Sequence, residues 1–287
     1  MVTTIAEAFR VFRRNLEITT LQEQTVSTRQ SNVRDAVAKD FLVLDSFLTG
    51  SYRRHTMISP LSGADVDIFV VLDPKYYQVG GQQALLEKVR AALLKTYPST
   101  PKIRPDGSAV TITFTDFKVD VVPGFYRTGG GYLIPNSQAK RWIETDPKKH
   151  VELWAASNKV HNGNLVPLIK MVKSWNQSRN VIKSFHLETL VRRALLNIRI
   201  DDDPSGMRFV FGKGVELVKA KLADPAGYSD DVAAHVNTGE KILHLANCFS
   251  WAHQRALEAE TYARSGYVAN AIERWKLIAP NHFPSYG

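Results

Sequence analysis

Apolar residues along this chain follow two periods. In the first fifty residues the spacing is helical: Ile5, Phe9, Val11 and Phe12 predict a helix over residues 5–16, and Val33, Val37, Phe41, Val43, Leu44 and Phe47 predict a second over 27–47. The period then falls to two. Val66, Ile68, Val70 and Leu72 alternate in a strand over 65–72, followed by a Gly80-Gly81 loop, a helix over 82–97 and strands over 110–114 and 117–122. Gly129, Gly130 and Gly131 predict a tight turn between short strands, and Asp146-Pro147 is a helix-start signal. Beyond it the helical period dominates, with predicted helices over 165–177, 185–196, 209–222, 232–265 and 268–277. The order predicts an α+β protein with a mixed or antiparallel sheet, residues 1–147 forming a core with N-terminal helices and residues 148–287 a helical C-terminal lobe.

The strand over 65–72 carries the chemistry. Residues two apart in a strand point the same way, so Asp65 and Asp67 project from one face while Val66, Ile68, Val70 and Leu72 anchor the other. Two carboxylates held that close repel unless a cation sits between them, and hard oxygen ligands suit Mg²⁺ or Mn²⁺. Upstream, Gly50 lets the backbone approach a triphosphate closely, and the Ser51 hydroxyl can donate to its oxygens. A third carboxylate would complete a site for two ions. Asp120, in Val119-Asp120-Val121-Val122, is the better candidate, because a charge within an apolar strand is expensive unless used. Asp116 is its rival, placed where the strand begins. The expectation is three carboxylates converging on one point.

Composition sets wide bounds. The chain has 287 residues, 44% hydrophobic and 23% charged, with a formal net charge of +9. That balance favours anionic partners, and no apolar run reaches the roughly 20 residues that cross a bilayer, so a cytoplasmic protein is expected. The single cysteine, Cys248, excludes an intrachain disulfide and reads as a buried structural thiol.

Gly50-Ser51, Asp65-Val66-Asp67 on a strand and Asp120 in Val-Asp-Val-Val-Pro resemble the signature of the DNA polymerase β-like nucleotidyltransferases. Leu168-Ile169-Lys170-Met171-Val172-Lys173-Ser174-Trp175-Asn176 and Lys183-Ser184-Phe185-His186-Leu187-Glu188 are similar to stretches of the bacterial CD-NTases, relatives of cyclic GMP-AMP synthase and the oligoadenylate synthetases. The resemblance runs from about Phe12 to the end of the chain.

It implies a polymerase β-like core, a helical lobe and a cleft between them. It also implies an enzyme of anti-phage defence that joins nucleoside triphosphates into a cyclic oligonucleotide, foremost a cyclic dinucleotide. Asp65, Asp67 and Asp120 would be catalytic and hold two Mg²⁺ or Mn²⁺ ions. By the same resemblance Gly50, Ser51, Lys170 and Lys173 would bind substrate, with Lys173 meeting the β/γ-phosphates. Ser184 would contact the base and Phe185 stack on it, where the animal enzyme has Ser-Tyr-His; His186 reads as a structural hydrogen-bonding group. A transferase acting on RNA or protein, a linear oligonucleotide synthase and a catalytically silent nucleotide sensor are the alternatives. No Cys/His zinc cluster suggests a DNA activator, and a terminal Gly287 is compatible with conjugation to, or regulation by, a partner protein.

Overall fold

The computed structural model describes residues 1–100, 102–229 and 231–287. In chain order the elements are α1 (Ile5–Asn15), α2 (Thr20–Ala38), β1 (Val43–Leu48), the single turn α3 (Gly50–Arg53), β2 (Asp65–Leu72), α4 (Gln82–Thr96), β3 (Ile103–Asp106), β4 (Ala109–Thr113), β5 (Lys118–Tyr126), β6 (Tyr132–Asn136) and β7 (Arg141–Thr145). The helices α5 (Pro147–Val160), α6 (Leu165–Gln177), α7 (Ser184–Ala194), α8 (Asp203–Leu217), α9 (Gly239–Arg264) and α10 (Val268–Ile278) follow. Two compact units result: Ile18–Glu152, and Met1–Glu17 with Leu153–Gly287. Helix α1, grouped by chain order with the core, packs with the helical unit.

The sheet runs β1-β2-β5-β4-β3, with β6 and β7 continuing from β5. It is mixed: β2 pairs parallel with β5, and the other pairs are antiparallel. Alternation along β2 gives the sheet two unlike faces. Val66, Ile68, Val70 and Leu72 pack with Val119 and Val121 of β5, Val110 and Ile112 of β4, Val33 and Val37 of α2, and Leu86, Val89 and Leu93 of α4. The opposite face carries Asp65 and Asp67 and then Phe69 and Val71, which Tyr132 and Ile134 cover.

The helix expected over 27–47 is corrected by the structure. Helix α2 stops at Ala38, and Val43–Leu48 becomes the edge strand β1. Its ladder pairs Phe47 with Phe69 and Leu48 with Ile68, and the Phe47 and Phe69 rings stack at 5.1 Å. This pairing is long-range, so apolar residues that also fit a helical wheel do not reveal it. Strand β3 escaped the sequence reading as well. It is a short edge strand containing Pro105, whose lack of an N–H weakens any strand signal.

In the helical unit α6 is buried almost all round, and Trp175 packs against Phe211 of α8 and Phe249 of α9. Gly214 lets α8 and α9 approach: a Cβ there would stand 2.2 Å from a Phe249 ring carbon. Phe9 and Phe12 of α1 make edge contacts with Phe283, and Phe9 also with Trp275 of α10. Two boundaries move from their expected places because caps override periodicity. Helix α8 begins at Asp203 rather than 209, where Asp202 accepts from the Ser205 amide at 2.8 Å and Pro204 occupies the first turn. Helix α9 begins at Gly239 rather than 232, capped by Thr238. Cys248 is part-exposed rather than buried, its Sγ 3.8 Å from His244 Nε2, and partial burial raises its pKa. Among the described residues no helix is long and apolar enough to cross a membrane.

Candidate active site

The site is built on the parallel pair β2 and β5. Their register sets Asp67 opposite Asp120 and Asp65 opposite Lys118, so the three aspartates share one sheet face. Asp116 does not join them. It lies in the bend before β5, where its carboxylate takes two hydrogen bonds from Arg29 of α2, at 3.1 and 3.2 Å, and one from the Phe117 amide.

Asp120 is part-buried, and its proton affinity is raised above the usual carboxylate range. Burial is the largest cause; the Thr111 hydroxyl, donating to Asp120 Oδ1 at 2.6 Å, opposes it, and the charges of Asp65 and Asp106 push upward again. Lys118 lies 3.8 Å from Asp65 Oδ1, with both side chains about half exposed, too open to neutralise the group strongly. Sequence reasoning missed Thr111, because its role depends on the β4–β5 register that sets it opposite Asp120.

Gly50 and Ser51 reach the same face. After β1 the Thr49 amide donates to Asp67 O at 2.9 Å, and the chain turns sharply into α3. Gly50 has φ +62°, and a Cβ there would lie 1.7 Å from Asp67 Oδ2. Only glycine permits both the left-handed turn and the close approach. The single turn α3 starts here, and the Ser51 carbonyl accepts from the Thr56 and Met57 amides, which ties down the loop.

The expected convergence of the three carboxylates is only partly realised. The fold supplies a common face and a common register, yet among the described residues no three His, Cys, Asp or Glu side chains form a ready metal-holding group. The donor set still fits a divalent cation. All three groups are hard oxygen ligands, and the part-buried Asp120 sits near like charges that a cation would offset.

The remaining expected residues lie in the helical unit. Lys170 and Lys173 are buried on α6, not directed to solvent. Lys170 pairs with Glu17 of the same unit at 2.6 Å, and Lys173 with the fully buried Glu188 of α7 at 3.1 Å. Ser184 is the first residue of α7, with Lys183 in the cap position. Phe185 stacks on Trp154, ring centres 5.8 Å apart and planes 22° from parallel. His186 is buried with its Nδ1 lacking a hydrogen-bond partner among the described residues, contrary to the expected hydrogen-bonding role. Burial first, and then the neighbouring His235, lower its pKa to about 4. At neutral pH it is an uncharged core ring. Asp224 is a turn residue, its carboxylate accepting from the amides of Ala226, Tyr228 and Ser229.

Comparison with known proteins agrees with this arrangement. A cyclic AMP-AMP-AMP synthase from an Acinetobacter species is 29% identical, the alignment covering 99% of this chain and 86% of that protein. The CBASS oligonucleotide cyclase CdnC of Escherichia coli strain KTE188 is 26% identical over 51% of this chain and 49% of its own length. Among solved structures, the Vibrio cholerae DncV cyclic AMP-GMP synthase in complex with a linear intermediate has a TM-score of 0.77 at 12% identity, covering 97% of this chain and 96% of that one. The E. coli MS115-1 CdnC structure with ATP has a TM-score of 0.74 at 15% identity, covering 97% and 98%. Residues 3–158 match the model of the Second Messenger Oligonucleotide or Dinucleotide Synthetase domain, and this chain, with its aspartates in register on β2 and β5, belongs to that family.

Proposed function

We propose that this protein joins nucleoside triphosphates into a cyclic oligonucleotide that serves as a second messenger in anti-phage defence, releasing pyrophosphate at each bond. The observation that carries the reading is the row of carboxylates on one sheet face, with the Gly50 backbone packed against Asp67. Family membership and the curated relatives, named as cyclic nucleotide synthases, support it.

Asp65, Asp67 and Asp120 are the residues we assign to hold two Mg²⁺ or Mn²⁺ ions. Bound there, the ions would supply positive charge against the triphosphate and the departing pyrophosphate. Asp120, together with the ions, is assigned to help deprotonate the attacking ribose hydroxyl. Gly50 lets the backbone pack against the Asp67 carboxylate, and the Ser51 hydroxyl is assigned to donate to phosphate oxygens. By the family resemblance Ser184 and Phe185 of the helical unit are assigned to the base, whereas Lys170 and Lys173, paired with Glu17 and Glu188, are given no substrate role.

Incubating the purified chain with all four triphosphates and Mg²⁺ or Mn²⁺, then analysing products by mass spectrometry before and after phosphatase, tests the reading. A phosphatase-resistant product is expected, since a ring has no terminal phosphate. A phosphatase-sensitive ladder would instead identify a linear synthase, and label transfer only when RNA or protein is added would identify a transferase. The same spectrum measures ring size. The sequence reading favours two nucleotides, whereas the Acinetobacter relative is named for a product of three.

A further inference from the structure

The ladder places four polar side chains in one row across four strands: Arg104 of β3 opposite Thr111 of β4, Thr111 opposite Asp120 of β5, and Asp120 opposite Asp67 of β2. Alternate residues of β4, Val110 and Ile112, point into the apolar core. Thr111 points to the carboxylate face instead, and its hydroxyl donates to Asp120 Oδ1 at 2.6 Å. A hydrogen bond that short to a carboxylate is charge-assisted and strong. Threonine is branched at Cβ, so its χ1 is stiff and the donor is held by a rigid strand rather than by a mobile side chain. Valine would satisfy the strand equally well by shape and propensity, so what threonine adds at this position is the hydroxyl. Asp120 has no ion-pair partner among the described residues, which leaves Thr111 as the neighbour that fixes its rotamer.

We infer that Thr111 is a positioning residue for cation binding: its hydroxyl locks the Asp120 carboxylate plane in the row with Asp67, so that the oxygen lone pairs not used by the hydroxyl face a divalent ion. The inference rests on the assignment of Asp65, Asp67 and Asp120 as ion-holding groups. Partners one shell behind a metal ligand that orient it commonly contribute roughly 10-fold or more in metal affinity.

The test is Mn²⁺ binding by the purified full chain without nucleotide, followed by the loss of the free-ion electron paramagnetic resonance signal, alongside thermal melting. Thr111→Val, which keeps shape and removes the donor, should weaken Mn²⁺ binding about 10-fold with an unchanged melting curve. Thr111→Ala should do the same if the second methyl of valine fits poorly, and Thr111→Ser should retain near-parental binding because it keeps the hydroxyl. In steady-state assays Thr111→Val should lower kcat at fixed metal while the KM for ATP stays close to the parent value. Parental Mn²⁺ affinity in Thr111→Val, with binding lost in Asp120→Ala, overturns the positioning role and leaves the carboxylate assignment standing. Equal losses in Thr111→Ser and Thr111→Val would trace the effect to disturbed packing at residue 111 instead of the hydroxyl and overturn it too. Parental binding in both Asp67→Ala and Asp120→Ala would bring down the carboxylate assignment itself, and the inference with it.

Discussion

In the helical unit, buried and part-buried charge is met by opposite charge: buried Lys173 by Glu188 and buried Lys170 by Glu17, part-buried Arg13 by Asp203 and Arg208 by Glu260. On the sheet, Asp120 is met by like charge, with Asp67 opposite it and Asp65 two residues along, and by a neutral hydroxyl from Thr111. The first arrangement is complete within the fold. In the second, the half-exposed Lys118 near Asp65 offsets part of the negative charge, and an added cation would offset more. The contrast is why the paired charges are taken as structural and the carboxylate row as the proposed binding site.

Removing a charge from each unit should therefore have opposite consequences, and the largest effect is expected on the sheet. Asp67→Ala and Asp120→Ala should each reduce nucleotide joining on the order of a thousandfold, corresponding to several kcal/mol of lost transition-state stabilisation, without loss of folding stability. Melting curves and product assays on the same preparations decide it; a strong destabilisation with residual activity near the parent's would make these aspartates structural and dissolve the contrast.

Next in size is the helical counterpart. Glu188→Ala leaves Lys173 buried without this partner and should destabilise the fold by about 3–5 kcal/mol in denaturant titration. Glu188→Gln, which keeps shape and hydrogen-bonding capacity, should be milder. A Glu188→Ala protein as stable as the parent would show that this pair is not what holds α6 against α7.

His186 sharpens the comparison through pH. Its folded pKa, about 4, lies below the ordinary histidine value near 6.5, so the unfolded chain binds the extra proton more readily. The stability it contributes is fully present above about pH 6.5 and is lost as pH falls toward about 4. The total is on the order of 3 kcal/mol. His186→Gln should flatten part of the decline in unfolding free energy between about pH 7 and about pH 5. An identical slope in parent and variant would assign the acid limb to other groups.

The smallest of the expected losses in stability concerns Gly50. Gly50→Ala adds a Cβ against Asp67 Oδ2 at a φ of +62°, and the left-handed turn alone costs about 1 kcal/mol. Activity should fall by much more than that figure implies, since the Asp67 carboxylate has to shift. Parental turnover in this variant would mean that the packing of Gly50 on Asp67 does not set the carboxylate's working position.

What this sequence determines alone is chiefly local. The alternation that puts Asp65 and Asp67 on one face, the helices α4, α6 and α10, and the glycine turn before β6 all follow from neighbours a few residues apart, where pattern and propensity act directly. The motif set also carried the family likeness. Tertiary structure decided the rest, because it concerns residues distant in the chain. The ladder made an edge strand of Val43–Leu48, chose Asp120 over the Arg29-bound Asp116, and brought Thr111 to the carboxylate. Packing grouped α1 with the C-terminal helices and buried Lys173 against Glu188. Periodicity records which side of an element is apolar; it does not say what lies across from it, and the opposing residue is what turns a carboxylate into a ligand or a lysine into half of an ion pair.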